Sequence, residues 1–196
     1  MAADLVVYRI APDWNDWQAL LLDAPFESSL HDLIDFDGTS RSAEWTARLP
    51  RFVIDPPERP RPTCWPVVSS ASLGLGRDAV DLLDPFIEES GELLWTTVED
   101  LEIAVLNVTL VRACLDVTQS RLTGGRFRFA FQPSEIPVGR VFKVPQTSRA
   151  DVLYCEASPS TGVSLRTLIE GQEITGISLS TLWDSSNGPH EEMPTW

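Results

Sequence analysis

Six short apolar runs between residues 92 and 183 follow one another with almost no helix between them. This constrains the fold more than any other feature of the chain. They are Glu92 to Val98, Glu102 to Val108, Arg126 to Phe131, Arg140 to Val144, Asp151 to Cys155 and Ile177 to Trp183. Runs of this length, rich in Val, Ile, Leu and aromatic residues and bounded by turn formers, read as strands. Parallel strands need long crossovers, usually helical, so strands joined without them pair antiparallel. The expected class is therefore α+β, a mixed or antiparallel sheet packed with a few short helices.

Earlier in the chain, Leu5 to Ile10 reads as a first strand and Arg51 to Ile54 as an edge strand, with another over Trp65 to Ser69. Asp13 to Leu22 carries Trp14, Trp17 and Leu21 at helical spacing and predicts a short helix. Thr109 to Leu115 predicts another, as do Leu165, Leu168 and Ile169. The clearest helix is residues 77–90. Ala79, Leu82, Leu83, Phe86 and Ile87 fall on one face, and Asp78, Asp81, Asp84 and Glu88 on the other. Pro85 is expected to kink it or to start a new turn capped by Asp84, and Gly91 to stop it. Residues 55–66, DPPERPRPTCWP, read as a stiff extended connector. The expected division is an N-terminal portion, 1–60, packed on a main body, 61–183, with a loosely held tail, 184–196.

Charge narrows the function classes. The 196 residues carry 15 basic and 29 acidic side chains, for a net charge of -14. Residues 1–60 hold 5 basic and 11 acidic, 61–120 hold 3 and 10, and 121–196 hold 7 and 8, so the excess sits in the first 120 residues. Nucleic-acid binding rests on cations that displace counterions, so an acidic chain of this kind favours a basic protein partner over DNA or an anionic membrane. Residues 121–149 run against the trend, with Arg121, Arg126, Arg128, Arg140, Lys143 and Arg149. In RFRFAF, however, Arg and Phe alternate and so face opposite ways, which predicts Phe inward and Arg outward instead of a base-stacking surface. No apolar run is long enough to span a bilayer, and the N-terminus lacks the basic and apolar regions of a signal peptide. Cys64, Cys114 and Cys155 are odd in number and far apart, which predicts buried thiols in a reducing, cytoplasmic setting.

Catalytic candidates are few. Asp35-Phe36-Asp37-Gly38-Thr39 resembles the first motif of haloacid-dehalogenase-like phosphatases, in which the first Asp is phosphorylated, the second is the acid/base, and both help hold magnesium. That chemistry also needs a lysine and a later acidic pair; the one lysine is Lys143, and no such pair follows it. The competing reading is an Asp/Gly turn whose side chains bond the nearby backbone. The two histidines, His31 and His190, lie near no G-x-S-x-G elbow, and with the three scattered cysteines they offer no metal-ligand spacing. Gly74-Leu75-Gly76 lacks the further Gly and Lys of a phosphate loop. These readings predict no enzyme, cofactor or metal, with Asp78, Asp81, Asp84 and Glu88 as the candidate partner-binding residues. The alternatives are a magnesium-dependent phosphatase using Asp35 and Asp37, or a non-catalytic oligomeric interaction module.

The order of features has a likeness of its own: Phe36 and Gly38, then Trp45, PVVSS (66–70), LLDPFIEESGELL (82–94) and AVLNVT (104–109). After these come Leu115-Asp116, Ser120, VGRVFKVPQ (138–146), DVLYC (151–155) and GISLSTLW (176–183). This series resembles a bacterial family of immunity proteins from polymorphic toxin systems, the eleventh such immunity family, which overlaps a domain of unknown function. The chain departs from it in the proline-rich 55–66 segment and the Gly74/Gly76 pair. The resemblance implies a small bacterial cytoplasmic protein that neutralises a cognate toxin by tight binding, and it brings no catalytic residues.

Overall fold

The computed structural model describes residues 4–23, 32–68, 72–123, 126–148, 150–158, 162–190 and 193–194. Strand β1 (Asp4–Pro12) is the middle of a five-stranded sheet. It lies between β11 (Val152–Ser158) and β12 (Ile177–Asp184), with β10 (Val141–Phe142) outside β11 and β13 (Gly188–Pro189) outside β12. All of these pairings are antiparallel. Tyr8 stands opposite Tyr154, and Val7 opposite Cys155. Successive residues therefore serve opposite faces, and both faces are covered. Tyr8, Ile10, Val152 and Tyr154 join one core, while Val7, Leu153, Cys155 and Trp183 join another. A strand buried on both sides has no polar face to display, which is why residues 5–10 read as nearly continuous apolar sequence.

The first core is closed by a second sheet in the order β4 (Cys64–Pro66), β5 (Leu73–Leu75), β7 (Leu101–Val108), β6 (Gly91–Val98). Helix α2 (Arg77–Ile87) contributes Ala79, Leu83, Phe86 and Ile87 to it, and α3 (Leu165–Glu170) contributes Leu165 and Leu168. Helix α3 starts at a reciprocal cap. Ser164 Oγ accepts from Thr167 N, and Thr167 Oγ1 accepts from Ser164 N. The far face of the second sheet packs Trp65, Leu94, Val98, Ile103 and Val105. It is covered by the antiparallel pair of β2 (Ala19–Leu22) with β3 (Phe52–Asp55) and by α1 (Ser42–Arg48), whose Trp45 is buried. The remaining core, on the other face of the five-stranded sheet, is covered by residues 110–123 and 126–136, including β8 (Arg121–Thr123) and β9 (Arg126–Arg128). Strand β14 (Met193–Pro194) pairs with β9. Antiparallel sheets with a few short helices make the fold α+β. No helix among the described residues is long and apolar enough to cross a membrane.

The structure departs from the sequence reading in five places. Asp13 to Leu22 forms a turn and then β2, because Ala19–Leu22 finds a strand partner in Phe52–Asp55. Trp14, one of the residues that marked a helical face, is exposed. Thr109 to Leu115 is extended. Thr109 N and Leu110 N donate to Ser90 O, and Arg112 N donates to Lys143 O, so its backbone groups are used outside any helix. Helix α2 runs through Pro85, which stands in the last turn, and ends by residue 87, before Gly91 opens β6. Arg140 to Val144, read as one strand, is a strand only at Val141–Phe142, and Val141, Phe142, Lys143 and Val144 are all buried. Residues 184–190 are tied down by Asp184, whose Oδ1 accepts from Ser186 N and Asn187 N. His31, Arg149 and residues 69–70 lie outside the described residues.

Candidate functional site

Helix α2 buries its apolar face and turns the four carboxylates predicted from its period outward. Asp78, Asp81, Asp84 and Glu88 are all exposed. Their distribution along the helix matters. Backbone dipoles place partial positive charge at the N-terminus and partial negative charge at the C-terminus. Asp78, in the first turn, is favoured there. Asp84 and Glu88 stand at the C-terminal end, where a carboxylate is disfavoured by about 0.3–1 kcal/mol, and no basic residue lies in the last turn. The cation at that end comes from another element: Arg140 Nη1 donates to Pro85 O at 2.6 Å, and Arg140 lies 3.9 Å from Glu89. Helix stability does not explain these acids.

Beyond the N-terminal end of α2 the surface changes character. Arg77 is held by Glu102 at 2.9 Å, and its guanidinium carbon sits 5.6 Å from the ring centroid of Trp95, within cation–π range. Trp95 is 41% exposed, and its strand is fixed by Trp45, whose Nε1–H donates to Trp95 O at 2.9 Å. Leu49 follows α1 in a left-handed conformation (φ 42°) and is 61% exposed. Arg48, Leu49, Pro50, Arg51, Trp95 and Glu102 line a groove of about 490 Å³. Exposed Trp and Arg are the side chains that dominate binding energy at protein interfaces. Sequence reading missed this groove. In β6 Leu94, beside Trp95, packs into the core on the other face of the sheet, but only the fold shows that Trp95 stays exposed with Arg77 over its ring.

The Asp35–Thr39 segment folds as the Asp/Gly turn. Asp37 Oδ1 accepts from Thr39 N at 3.1 Å and from Thr39 Oγ1 at 2.6 Å, and Arg41 lies 3.5 Å away. The Thr39 bonds chiefly hold the Asp37 carboxyl below its ordinary range, against desolvation. Gly38 occupies a left-handed position at φ 97°. The fold does bring Lys143 to this turn, but its Nζ donates to the Phe36 carbonyl. Burial lowers the Lys143 ammonium to about 8, against the charges of Asp37, Asp35 and Asp151. Asp151 in turn pairs with Arg9 at 2.6 Å, both buried, and desolvation raises its carboxyl despite that partner. On the opposite face of the same sheet Glu156 accepts from Tyr8 Oη at 3.1 Å and from Arg166 Nε at 2.8 Å. Among the described residues no three His, Cys, Asp or Glu side chains converge as a metal site would require. His190 Nε2 lies 2.6 Å from Asp184 Oδ2, remote in sequence from the Asp35–Thr39 turn.

No protein-family model matches the chain, and no curated protein matches it.

Proposed function

We propose that this protein is an immunity factor that binds and neutralises a cognate bacterial protein toxin in the cytoplasm. In this reading it presents the acidic face of α2 to a basic patch on the toxin. The observation that carries the reading is the placement of Asp84 and Glu88. They are exposed carboxylates at the helix end where the dipole disfavours them, in line with Asp78 and Asp81. A row of this kind suits an oppositely charged surface, where it speeds capture. The ordered likeness to the immunity family supports the same reading. Three free, buried thiols are in keeping with a reducing compartment.

The test is co-expression with the product of the adjacent gene, followed by co-purification and association kinetics. Reversing charge at Asp78, Asp81 and Glu88 is expected to slow association at least about ten-fold at low salt, and the difference should shrink as salt screens it. Failure of every neighbouring product to bind would sink the proposal. Unchanged kinetics at low salt would clear α2 of the role. A second reading, the magnesium-dependent phosphatase, draws on one observation, the placement of Lys143 against Asp35-Phe36-Asp37. It requires magnesium-dependent phosphate release that Asp35→Asn abolishes.

A further inference from the structure

The β8–β9 pairing sets Arg121 directly opposite Arg128. Directly opposed residues of an antiparallel pair share a face, with Cβ atoms about 5 Å apart, and like charges so placed repel. Both arginines are exposed. Arg9, Arg41, Arg61, Arg77, Arg140 and Arg166 each lie within ion-pair reach of a carboxylate. Among the described residues Arg121 and Arg128 have no such partner; Arg51, Arg59 and Arg112 have none either, but only Arg121 and Arg128 are set opposite each other across a strand pair. Asp116, the acid nearest to Arg121 in sequence, is already engaged. Its Oδ1 accepts from Thr118 N and Thr118 Oγ1, and its Oδ2 accepts from Gln119 Nε2. On a chain of net charge -14, this is a facing positive pair with no carboxylate in ion-pair reach among the described residues.

The two arginines flank a recess of about 240 Å³, completed by Thr118, Gln119 and Pro189. Pockets for whole drug-sized ligands run to about 300–1,000 Å³, so this one suits a single head group. One guanidinium fork saturates a carboxylate in bidentate fashion. Two forks call for a group with more acceptor oxygens and more charge. A phosphate monoester, with three terminal oxygens and a charge of about -1.5 to -2 at neutral pH, supplies both. We propose that the recess between Arg121 and Arg128 binds the phosphate group of a small phosphorylated molecule, or inorganic phosphate itself. The site is separate from the acidic face of α2 and does not depend on the immunity reading.

The test is an NMR titration of the arginine side-chain Nε–H resonances at constant ionic strength. The probes are inorganic phosphate, glucose 6-phosphate and acetate. Saturable shifts of two arginine signals with either phosphate, and none with acetate, are expected. Tighter binding of the ester would identify an esterified ligand; tighter binding of inorganic phosphate would identify the free ion. Arg121→Gln and Arg128→Gln should each weaken binding about ten-fold or more. Arg128→Lys should weaken it as well, because the ammonium keeps the charge but loses the fork. Three results would overturn the proposal: linear, unsaturated shifts; acetate acting as strongly as phosphate; or binding that survives both glutamine substitutions. Binding that appears only after Glu191→Gln and Glu192→Gln would also overturn it, since the chain's own acids would then be the occupants.

Discussion

Replacing Lys143 by Met tests whether the fold holds a lysine that gives up its proton near neutrality. Lys143 is 0% exposed, and burial lowers its ammonium from 10.5 to about 8. In the unfolded chain it keeps the proton to about 10.5. Between those values the unfolded state therefore binds more protons than the folded one, and stability rises with pH by about 1.4 kcal/mol per unit at most. Three thiols act in the opposite direction. Desolvation raises Cys64 and Cys155 from 9.0 to about 12 and Cys114 to about 11. The unfolded chain loses those protons first, and stability falls above about pH 9. Met has similar reach and no proton, and Lys143→Met leaves the thiols in place. The difference between the two proteins thus isolates the lysine. It should shift in favour of the wild type by about 1 kcal/mol between pH 8 and 9, and by about 3 kcal/mol over the whole window. Urea denaturation at pH 7, 8, 9 and 10 reads it. A difference that does not change with pH would mean that Asp35, Asp37 and Asp151 hold the ammonium charged throughout, and the reasoning would fail.

Two further outcomes follow from the packing. Gly176 has φ 87°, and a methyl group there would run into the Cys64 carbonyl and lie 2.6 Å from Pro62 Cβ. Gly188 has φ 79° with open space around it. Gly176→Ala should cost more than about 3 kcal/mol and Gly188→Ala about 1–2 kcal/mol; equal losses in chemical denaturation would refute the steric account. Cys64, Cys114 and Cys155 are all buried with raised thiols, so a thiol reagent at pH 8 should label none in the native protein and all three in urea. Native labelling of any one would show that its surroundings open.

Helix α2 was legible because everything that defines it lies within eleven residues. The 3.6-residue period separates Ala79, Leu83, Phe86 and Ile87 from Asp78, Asp81 and Asp84, and burial follows that division. RFRFAF was legible for the same reason: Arg128 is exposed, and Phe129 and Phe131 are buried with rings 6.0 Å apart. The central place of β1 was not legible. Its register, from Asp4 opposite Ser158 to Ile10 opposite Val152, is set by a strand far along the chain, and no local pattern encodes a partner. Local spacing misled at Asp13 to Leu22, where pairing with β3 overrode the helical period of three residues.

Lys143 shows the limit most clearly. In sequence it belongs to a basic stretch, flanked by apolar residues as a half-exposed strand would be. In the fold β10 is only two residues long and both faces of its sheet are covered, so Lys143 has no solvent side to turn to. A buried ammonium needs acceptors and counter-charges. They come from a turn 107 residues earlier, where Phe36 offers its carbonyl between Asp35 and Asp37. The acidic pair that looked like half of a catalytic motif thus has a second physical explanation. Asp37 closes its own turn through Thr39, and the two charges together make a buried lysine tolerable. Lys143→Met separates this structural use from a chemical one. A structural role predicts the pH-dependent stability difference and nothing else, whereas a phosphatase would also lose its magnesium-dependent turnover.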